Sequence, residues 1–305
     1  MLVSSRTDSH RWSTVPDGAM RVTASVVVAT RSRAHLLRLV LPDLAAAVAH
    51  ASGAELVIVE QQGASVTELC AELGIAASVI VDDGMGASRA RNVGARAARG
   101  NVIVFTDDDC AVPSTWVTAH VDALTDPDLV ASCGAVHGLS RRGGEDPVEL
   151  DLRHQGRVPP WLVGHGSNLA VTRDAFDAAG GFDERIGPGT RLAAGEDADL
   201  IVRLLLAGGT VRSGVGAAVR HLPWRTDEED RRNVTTYDVG SGVWVGKALR
   251  SHGWAVRGFV RARLQVLWGS ARLEGSSVRR ARVLATGTVA FFYGVVRGLV
   301  LRRSV

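Results

Sequence analysis

Three consecutive aspartates, Asp107, Asp108 and Asp109, follow directly on an apolar run at residues 102–105. Carboxylates crowded at the exit of a buried strand repel one another, so the arrangement favours a cation between them. Mg²⁺ and Mn²⁺ prefer carboxylate oxygens and commonly share their ligand shell with phosphate groups. The cluster therefore predicts a Mg²⁺ or Mn²⁺ site that accepts a nucleoside diphosphate. The alternative is an acidic loop in which one aspartate caps a helix.

A second acidic pair, Glu196 and Asp197, follows Gly195 at the start of a predicted helix. In the simplest interpretation one of these carboxylates caps the helix and interacts favourably with its dipole. General base catalysis is the alternative, because removing the proton of an attacking hydroxyl requires a group of this kind. Asp199 points elsewhere on the helix, where we expect it to pair with Arg203.

Strand-like and helix-like segments alternate ahead of the three aspartates. The strand-like segments are continuous apolar runs, at residues 25–29, 55–59, 78–81 and 101–106. Helical segments fill the intervals, at residues 34–50, 66–73 and 87–99. Apolar rather than alternating strands are typical of a parallel sheet covered by helices on both faces. In such sheets ligands bind beyond the carboxyl ends of the strands, which is where the three aspartates fall.

Composition indicates a globular protein from a reducing compartment. Hydrophobic residues make up 46% and charged residues 22% of the 305 residues, so a large core is available. The three cysteines are odd in number and show no CxxC spacing, which argues against a disulfide framework or a zinc site. The first twenty residues lack the apolar core of a signal peptide, so we expect a loose extension on a cytoplasmic protein.

Four short motifs occur in the order typical of one enzyme family. They are Ala90-Arg91-Asn92-Val93-Gly94, Phe105-Thr106-Asp107-Asp108-Asp109, Gly180-Gly181-Phe182-Asp183 and Gly195-Glu196-Asp197. From about Ser25 to Trp224 the chain thereby resembles glycosyltransferase family 2, whose fold is the A-type nucleotide-sugar-binding fold (GT-A). The resemblance implies an α/β fold with a Rossmann-like, mostly parallel sheet. It also implies an inverting, metal-dependent transfer of a sugar from a nucleotide-diphosphate sugar to an acceptor hydroxyl.

The resemblance also implies roles for individual residues. Asp197 corresponds to the catalytic base, with Glu196 beside it to position the acceptor, and Asp107, Asp109 and His221 are the candidate metal ligands. The candidate contacts to the nucleotide sugar are Thr30, Arg33, Glu60, Asp83, Arg89, Arg91, Asn92, Asp107, Asp108, Gly166 and Asn168.

Several of these residues have structural alternatives. His221 could be structural, Asp83 an ordinary turn residue beside a glycine, and Asn168 a residue that fixes its own turn. The arginines after residue 87 could display a solvated charged face instead of neutralising a diphosphate. Trp161 and Trp224 could stack on sugar faces or lie buried in the core.

We expect three regions along the chain. They are a disordered extension at 1–20, a catalytic domain at 21–236 and a basic helical appendage at 237–305. Within the catalytic domain, residues 21–110 would form the nucleotide-binding half and residues 111–236 the acceptor half. A polar, proline-containing stretch at 141–160 is predicted to be a loop that closes over the site.

The C-terminal appendage is strongly basic. From Gly240 onward twelve Lys and Arg residues face one acid, a net charge of +11, so the first 239 residues carry about −8. The uncharged stretch at 283–296 is shorter than the roughly twenty residues that span a bilayer. We expect basic, apolar helices on an anionic membrane surface, at the inner face of the cell membrane. The alternative is packing on the catalytic domain, and nucleic-acid binding is not expected.

Two other functions use a similar sheet and acidic site. A nucleotidyltransferase acting on a sugar phosphate would need a glycine-rich, lysine-containing loop after the first strand, and Thr30-Arg31-Ser32-Arg33 has neither. A non-catalytic nucleotide-sugar-binding protein would not need Asp197 beside the three aspartates. We therefore expect a glycosyltransferase of cell-surface polysaccharide, glycolipid or related glycan biosynthesis, with a glycan or lipid-linked acceptor.

Overall fold

We obtained a computed structural model of the protein, and the structure describes residues 23–63, 65–138, 150–158, 160–251, 260 and 277–301. The predicted N-terminal extension at 1–20 lies outside the described residues. So do residues 139–149 of the predicted loop and most of the basic segment that follows residue 251.

The described residues form eleven strands, eight helices and a short 3₁₀ turn at Pro160–Leu162. The strands are β1 Ala24–Arg31, β2 Ala54–Gln61, β3 Ser78–Asp82, β4 Val102–Asp107, β5 Cys110–Ala111, β6 Leu129–Cys133, β7 Val136–His137, β8 Leu152–Gln155, β9 Asn168–Thr172, β10 Thr210–Ser213 and β11 Val219–His221. The helices are α1 Ala34–His50, α2 Val66–Leu73, α3 Ala87–Ala97, α4 Trp116–Ala123, α5 Arg173–Ala178, α6 Glu196–Leu206, α7 Asp227–Ser251 and α8 Ser277–Val300.

The main sheet has eight strands in the order β3-β2-β1-β4-β9-β6-β10-β8. The four strands from β3 to β4 are parallel, β9 runs antiparallel to both of its neighbours, and β8 is an antiparallel edge strand. The predicted α/β fold with a large, mostly parallel sheet is confirmed. Strand β8 lies inside the stretch 141–160 that was predicted to be a loop. One sheet crosses the predicted division at residue 110, and that division stays a prediction.

Helices cover both faces of the sheet because its central strands are apolar at successive positions. In β1, Val26 and Val28 belong to one core cluster with Leu41 of α1. Val27 belongs to a second cluster with Phe105 of β4. Side chains alternate between the two faces of a strand, so a continuous apolar run buries both of them.

Parallel pairing brings the carboxyl ends of four strands to one edge of the sheet. These ends are Arg31, Gln61, Asp82 and Asp107. A small second sheet, β5-β11-β7, lies beside this edge. Its β5–β11 pairing sets His221 opposite Cys110, one residue after Asp109. The fold therefore brings His221 to the aspartate cluster from more than a hundred residues away.

The two C-terminal helices pack backbone to backbone. A Cβ atom added at Gly242 of α7 would lie 2.0 Å from the carbonyl oxygen of Phe291 in α8, so only glycine fits. Trp244 of α7 shares a buried cluster with Val202 of α6, so the appendage packs on the α/β domain. Helix α7 begins at Asp227, and the predicted boundary at residue 236 therefore falls inside it. Among the described helices, none combines the length and apolar content that crossing a bilayer requires.

Candidate active site

The middle aspartate of the cluster is held entirely by the protein. Thr30 Oγ1 donates to Asp108 Oδ2 at 2.7 Å, and Arg33 Nη1 lies 3.1 Å from Asp108 Oδ1. Burial raises the pKa of Asp108 to about 7, against the opposing effects of Arg33 and Thr30. Asp108 is 1% exposed and Thr30 is buried. These internal contacts fix the turn after β4, and the predicted contacts of Thr30 and Asp108 to the nucleotide sugar stay predictions.

Asp109 receives several hydrogen-bond donors and stays charged. Trp224 Nε1 donates to its Oδ2 at 2.7 Å, and His221 Nε2 lies 3.4 Å from the same oxygen. Burial alone would raise the pKa of Asp109, but His221, Trp224 and Arg33 together lower it. Burial would lower the pKa of His221, and the neighbouring Asp109 raises it instead. Trp224, a candidate for stacking on a sugar, thus donates its indole N–H to the Asp109 carboxylate.

The residues around Asp107 and Asp109 suit a hard divalent cation. One carboxylate oxygen from each and the Cys110 sulfur lie within 4.8 Å of one another. Burial, with the charges of Asp107 and Asp109 adding to it, raises the pKa of the Cys110 thiol far above its usual value. The protonated thiol is a poor ligand, whereas two carboxylates near an imidazole suit Mn²⁺ or Mg²⁺. The side chain of Asp107 is 35% exposed, so this site is open on one side.

Arg91 connects the aspartate cluster to the second acidic pair. Its Nη2 donates to Asp107 Oδ1 at 2.7 Å, and its Nη1 donates to Glu196 Oε1 at 3.0 Å. Burial, reinforced by the charge of Asp197, raises the pKa of Glu196 to about 7, although Arg91 opposes the shift. Arg91 is 3% exposed. Arg91 therefore bridges two protein carboxylates, and its predicted contact with a diphosphate stays a prediction.

Asp197 is the more accessible member of the second pair. Its Oδ2 accepts the Gly166 N–H at 3.1 Å, and its Oδ1 accepts the Ala198 N–H at 2.7 Å. Gly166 itself fits closely, since a Cβ atom there would lie 3.2 Å from Asp197 Cβ. The glycine-rich stretch before β9 therefore lies directly against the candidate base. On the other side of α6, the predicted Asp199–Arg203 pair is confirmed at 2.9 Å.

At the end of β3, Asp82 and not Asp83 faces the other strand ends. Asp82 accepts hydrogen bonds from Gln61 Nε2 at 2.8 Å and from Arg89 Nη2 at 2.9 Å, whereas Asp83 follows the strand and is exposed. Burial would raise the pKa of Asp82, but Arg89 and Gln61 lower it. Arg89 contacts this carboxylate with a side chain that is 41% exposed, and the predicted contacts of Asp83 and Arg89 with the nucleotide sugar stay predictions.

Glu60 points into the protein. Its Oε2 accepts the backbone N–H of Val66 at 3.2 Å, at the start of α2, and the residue is buried. A carboxylate at a helix N-terminus interacts favourably with the helix dipole. Glu60 therefore makes a contact at the start of α2, and its predicted contact with the nucleotide stays a prediction.

Asn92 holds the segment that follows α5. Its Nδ2 donates to the Phe182 carbonyl at 2.9 Å, and its Oδ1 accepts the Phe182 N–H at 2.9 Å. Nδ2 also lies 3.1 Å from Glu184 Oε1. The amide oxygen and the amide nitrogen of Asn92 thus link α3 to this segment, and the predicted contact of Asn92 with the nucleotide sugar stays a prediction.

Asn168 is enclosed in the same way. Its Oδ1 accepts hydrogen bonds from Trp116 Nε1 and His120 Nε2, each at 2.9 Å. Its Nδ2 donates to the carbonyls of Ala135 at 2.9 Å and Ala217 at 2.6 Å. The side chain is completely buried and its hydrogen-bonding capacity is filled. Asn168 thus ties β9 to α4 and to the segments that precede β7 and β11, and its predicted contact with the nucleotide sugar stays a prediction.

The structure also brings to the candidate site residues that the motifs did not predict. Gln61 and Asp82 lie at the strand ends, and the Asp83-Gly84 dipeptide, a turn signal, could have identified Asp82 as the last strand residue. No local signal marks Trp224 as a hydrogen-bond donor to Asp109. The side chain of Trp161 lies outside the described residues.

Sequence comparisons connect this architecture to known enzymes. Residues 25–169 match the family described as Glycosyl transferase family 2. A glucosyl-dolichyl phosphate glucuronosyltransferase from Haloferax volcanii is 28% identical over 143 residues, which are 40% of this chain and 43% of that protein. A pre-mycofactocin glycosyltransferase from Mycobacterium tuberculosis is 26% identical over 221 residues, 68% of this chain and 44% of that protein. The chain thus matches less than half the length of either relative.

A solved structure shares the fold. The mannosyltransferase PcManGT from Pyrobaculum calidifontis, solved in complex with GDP-Man and Mn²⁺, superposes with a TM-score of 0.59 at 16% sequence identity. The match covers 95% of this chain and 90% of that protein. At this identity the likeness shows the fold, which is the GT-A arrangement of a mixed α/β sheet.

Proposed function

Because residues 25–169 form a glycosyltransferase family 2 domain in a GT-A fold, we propose that the protein transfers a sugar from a nucleotide-diphosphate sugar to an acceptor hydroxyl, with inversion. One observation carries this proposal: a single buried arginine joins two separate acidic sites. Arg91 bonds Asp107, at the candidate metal site, and Glu196, which directly precedes Asp197. A leaving-group site and a separate base are the two parts that a single displacement needs.

In the proposed mechanism Asp197 is the general base. The acceptor oxygen forms a bond to the anomeric carbon while the bond from that carbon to the diphosphate oxygen breaks. The hydroxyl proton passes to the Asp197 carboxylate, and the nucleoside diphosphate leaves. The Gly166 N–H and the N-terminus of α6 hold this carboxylate in place. Glu196 is buried against Arg91 and acts as a positioning residue.

The leaving-group site consists of Asp107, Asp109 and His221, which would hold Mn²⁺ or Mg²⁺. A cation bound there supplies positive charge to the departing diphosphate. Arg33, which is partly exposed and lies 5.1 Å from the ring centre of Trp224, adds a guanidinium beside this cluster. We assign Arg33 to the diphosphate on this ground, since a guanidinium fork pairs well with phosphate oxygens.

A thermal-shift screen of UDP, GDP, ADP and dTDP and their sugar esters tests the proposed donor class. We expect one nucleotide to raise the melting temperature in Mn²⁺ and to lose this effect in EDTA, because without a cation the carboxylates of Asp107 and Asp109 would repel the diphosphate. Stabilisation by no member of the screen, or equal stabilisation in EDTA, would contradict the proposal.

The surface of the C-terminal helices bears on the identity of the acceptor. Helix α8 exposes four large apolar side chains along one side, at 55–70% of their surface: Val289, Phe292, Tyr293 and Val296. The region from residue 240 carries a net charge of +11. An apolar stripe on α8, whose sequence holds four arginines and no acid, complements an anionic lipid surface. We therefore propose a lipid-linked or membrane-bound glycan acceptor, reached from a membrane surface.

Vesicle flotation tests the membrane proposal. We expect the full chain to float with phosphatidylglycerol-containing vesicles, and the double variant Phe292→Asp/Val296→Asp to bind at least about tenfold more weakly. Each large apolar side chain contributes about 1.5–3 kcal/mol when it is buried. The matched control is Leu39→Asp, which alters an exposed leucine on α1. Flotation that is equal for the double variant and the control, or absent for the wild type, would exclude this surface.

A further inference from the structure

Lys247 is the only lysine in a chain whose other thirty-four basic side chains are all arginines. It lies on α7, and its ammonium group contacts two carboxylates from other parts of the fold. Nζ is 2.6 Å from Asp183 Oδ2 and 2.7 Å from Asp199 Oδ1. An ammonium is a compact point charge with three donors, so one such atom can serve two carboxylates that approach from different elements.

The two carboxylates belong to the segments that build the candidate active site. Asp199 is on α6, two residues after Asp197, and also pairs with Arg203 at 2.9 Å. Asp183 follows Phe182, which Asn92 holds, and its other oxygen accepts from Arg185 Nε at 2.8 Å. Each carboxylate therefore has an arginine partner besides Lys247. Lys247 adds ion pairs that connect α7 directly to both segments.

The same face of α7 contacts the turn that leads into the second acidic pair. A Cβ atom added at Gly240 would lie 2.4 Å from the backbone nitrogen of Ala194. One added at Gly195 would lie 2.8 Å from Trp244 Cβ. Positions 240, 244 and 247 share one side of a helix, so the close backbone contacts and the ion pairs act together. The position of α7 therefore fixes the start of α6.

We propose that Lys247 is a positioning residue for the proposed base: through Asp183 and Asp199 it locks α7 against α6, so that the C-terminal helices form part of the active site. The inference rests on the proposed function for the role of Asp197. The structural part of the inference, that Lys247 holds the first turn of α6, does not depend on which reaction the protein catalyses. A displacement of about 1 Å at a catalytic group costs up to about 100-fold in rate.

Hydrogen exchange and turnover on the full chain test the two halves separately. In Lys247→Met we expect the Asp199 amide, which donates to the Gly195 carbonyl at 3.0 Å, to exchange at least fivefold faster. We expect kcat for release of nucleoside diphosphate, from whichever sugar nucleotide the wild type uses, to fall about tenfold. The KM for that donor should change less than twofold, because Asp183 and Asp199, the two carboxylates that Lys247 contacts, are not among the residues assigned to the donor.

The control variant is Arg212→Met, which removes the ion pair to Asp151 at the far edge of the sheet. It should leave α6 exchange and kcat as in the wild type. If Lys247→Met does not fold, Lys247→Gln, which keeps a hydrogen-bond donor, is judged by the same readouts.

Two results overturn the inference: unchanged exchange of the Asp199 amide, or faster exchange with unchanged kcat. Absence of turnover in the wild type with every donor would contradict the proposed function instead. The exchange result would still decide whether Lys247 holds α6.

Discussion

Asp197→Asn is expected to abolish sugar transfer while leaving the folded protein and its donor binding intact. The amide has the size of the carboxylate and can still accept the Gly166 N–H, which donates to Asp197 at 3.1 Å. It cannot take the proton of the acceptor hydroxyl. General base catalysis contributes about 10²–10⁴-fold in rate, so we expect kcat to fall by at least about 100-fold. Release of nucleoside diphosphate measures the rate, and calorimetric titration of the nucleotide with Mn²⁺ measures the binding.

Helix α5 offers a matched control for this substitution. Asp174 is the second residue of α5, as Asp197 is of α6, and its side chain is exposed. We expect Asp174→Asn to retain wild-type turnover. The assignment of the base fails if Asp197→Asn keeps turnover within threefold of the wild type while donor binding is unchanged.

Arg91→Met is expected to lower the free energy of unfolding by about 3–5 kcal/mol, because it removes the cation from a buried ion-pair network. The variant leaves the buried Glu196 without its guanidinium partner, which lies 3.0 Å from Oε1. Asp107 also loses a donor at 2.7 Å. Chemical denaturation of the wild type and the variant measures the difference.

The pH dependence of this loss follows from Glu196. In the folded wild type its pKa is about 7, already above that of the unfolded chain. A carboxyl group whose pKa is higher in the folded than in the unfolded state adds stability at pH values below its unfolded-state pKa. That stability is lost as the pH rises through its folded-state pKa. Removing Arg91 raises the folded pKa further, so we expect a smaller destabilisation at pH 5 than at pH 8.

The matched change Arg38→Met removes an exposed pair with Glu72 and should leave the denaturation midpoint close to that of the wild type at both pH values. Equal, small effects of the two substitutions would show that Arg91 does not organise the site.

The order of elements could be predicted from the sequence because the strand runs are apolar on both faces. The runs that become β1, β2 and β4 pair in parallel, as strands buried on both faces do. The position of the aspartate cluster followed from the same reasoning, since ligands bind at the carboxyl ends of such strands.

Contacts made by polar side chains within the fold could not be predicted. Asn92 and Asn168 carry amides that suit a sugar, but their partners are carbonyls and side chains distant in sequence. The pairing of Arg91 with Glu196 spans 105 residues, and that of Lys247 with Asp183 spans 64. A motif fixes residue types at a spacing. It does not tell which polar groups the fold satisfies internally and which it leaves for a ligand.

The proposed function requires that a divalent cation and a nucleoside diphosphate bind together at Asp107 and Asp109. This requirement is tested by the thermal stability of the wild type and of Asp109→Asn with the nucleotide that the thermal-shift screen selects, in Mn²⁺ and in EDTA. For the wild type, at a hundredfold excess of nucleotide over its dissociation constant, we expect about 2.7 kcal/mol of stabilisation in Mn²⁺ and none in EDTA. Asp109→Asn, compared with its own ligand-free state, should show no stabilisation by the nucleotide in Mn²⁺ or in EDTA. Equal stabilisation of Asp109→Asn and the wild type, or stabilisation that persists in EDTA, would contradict the claim.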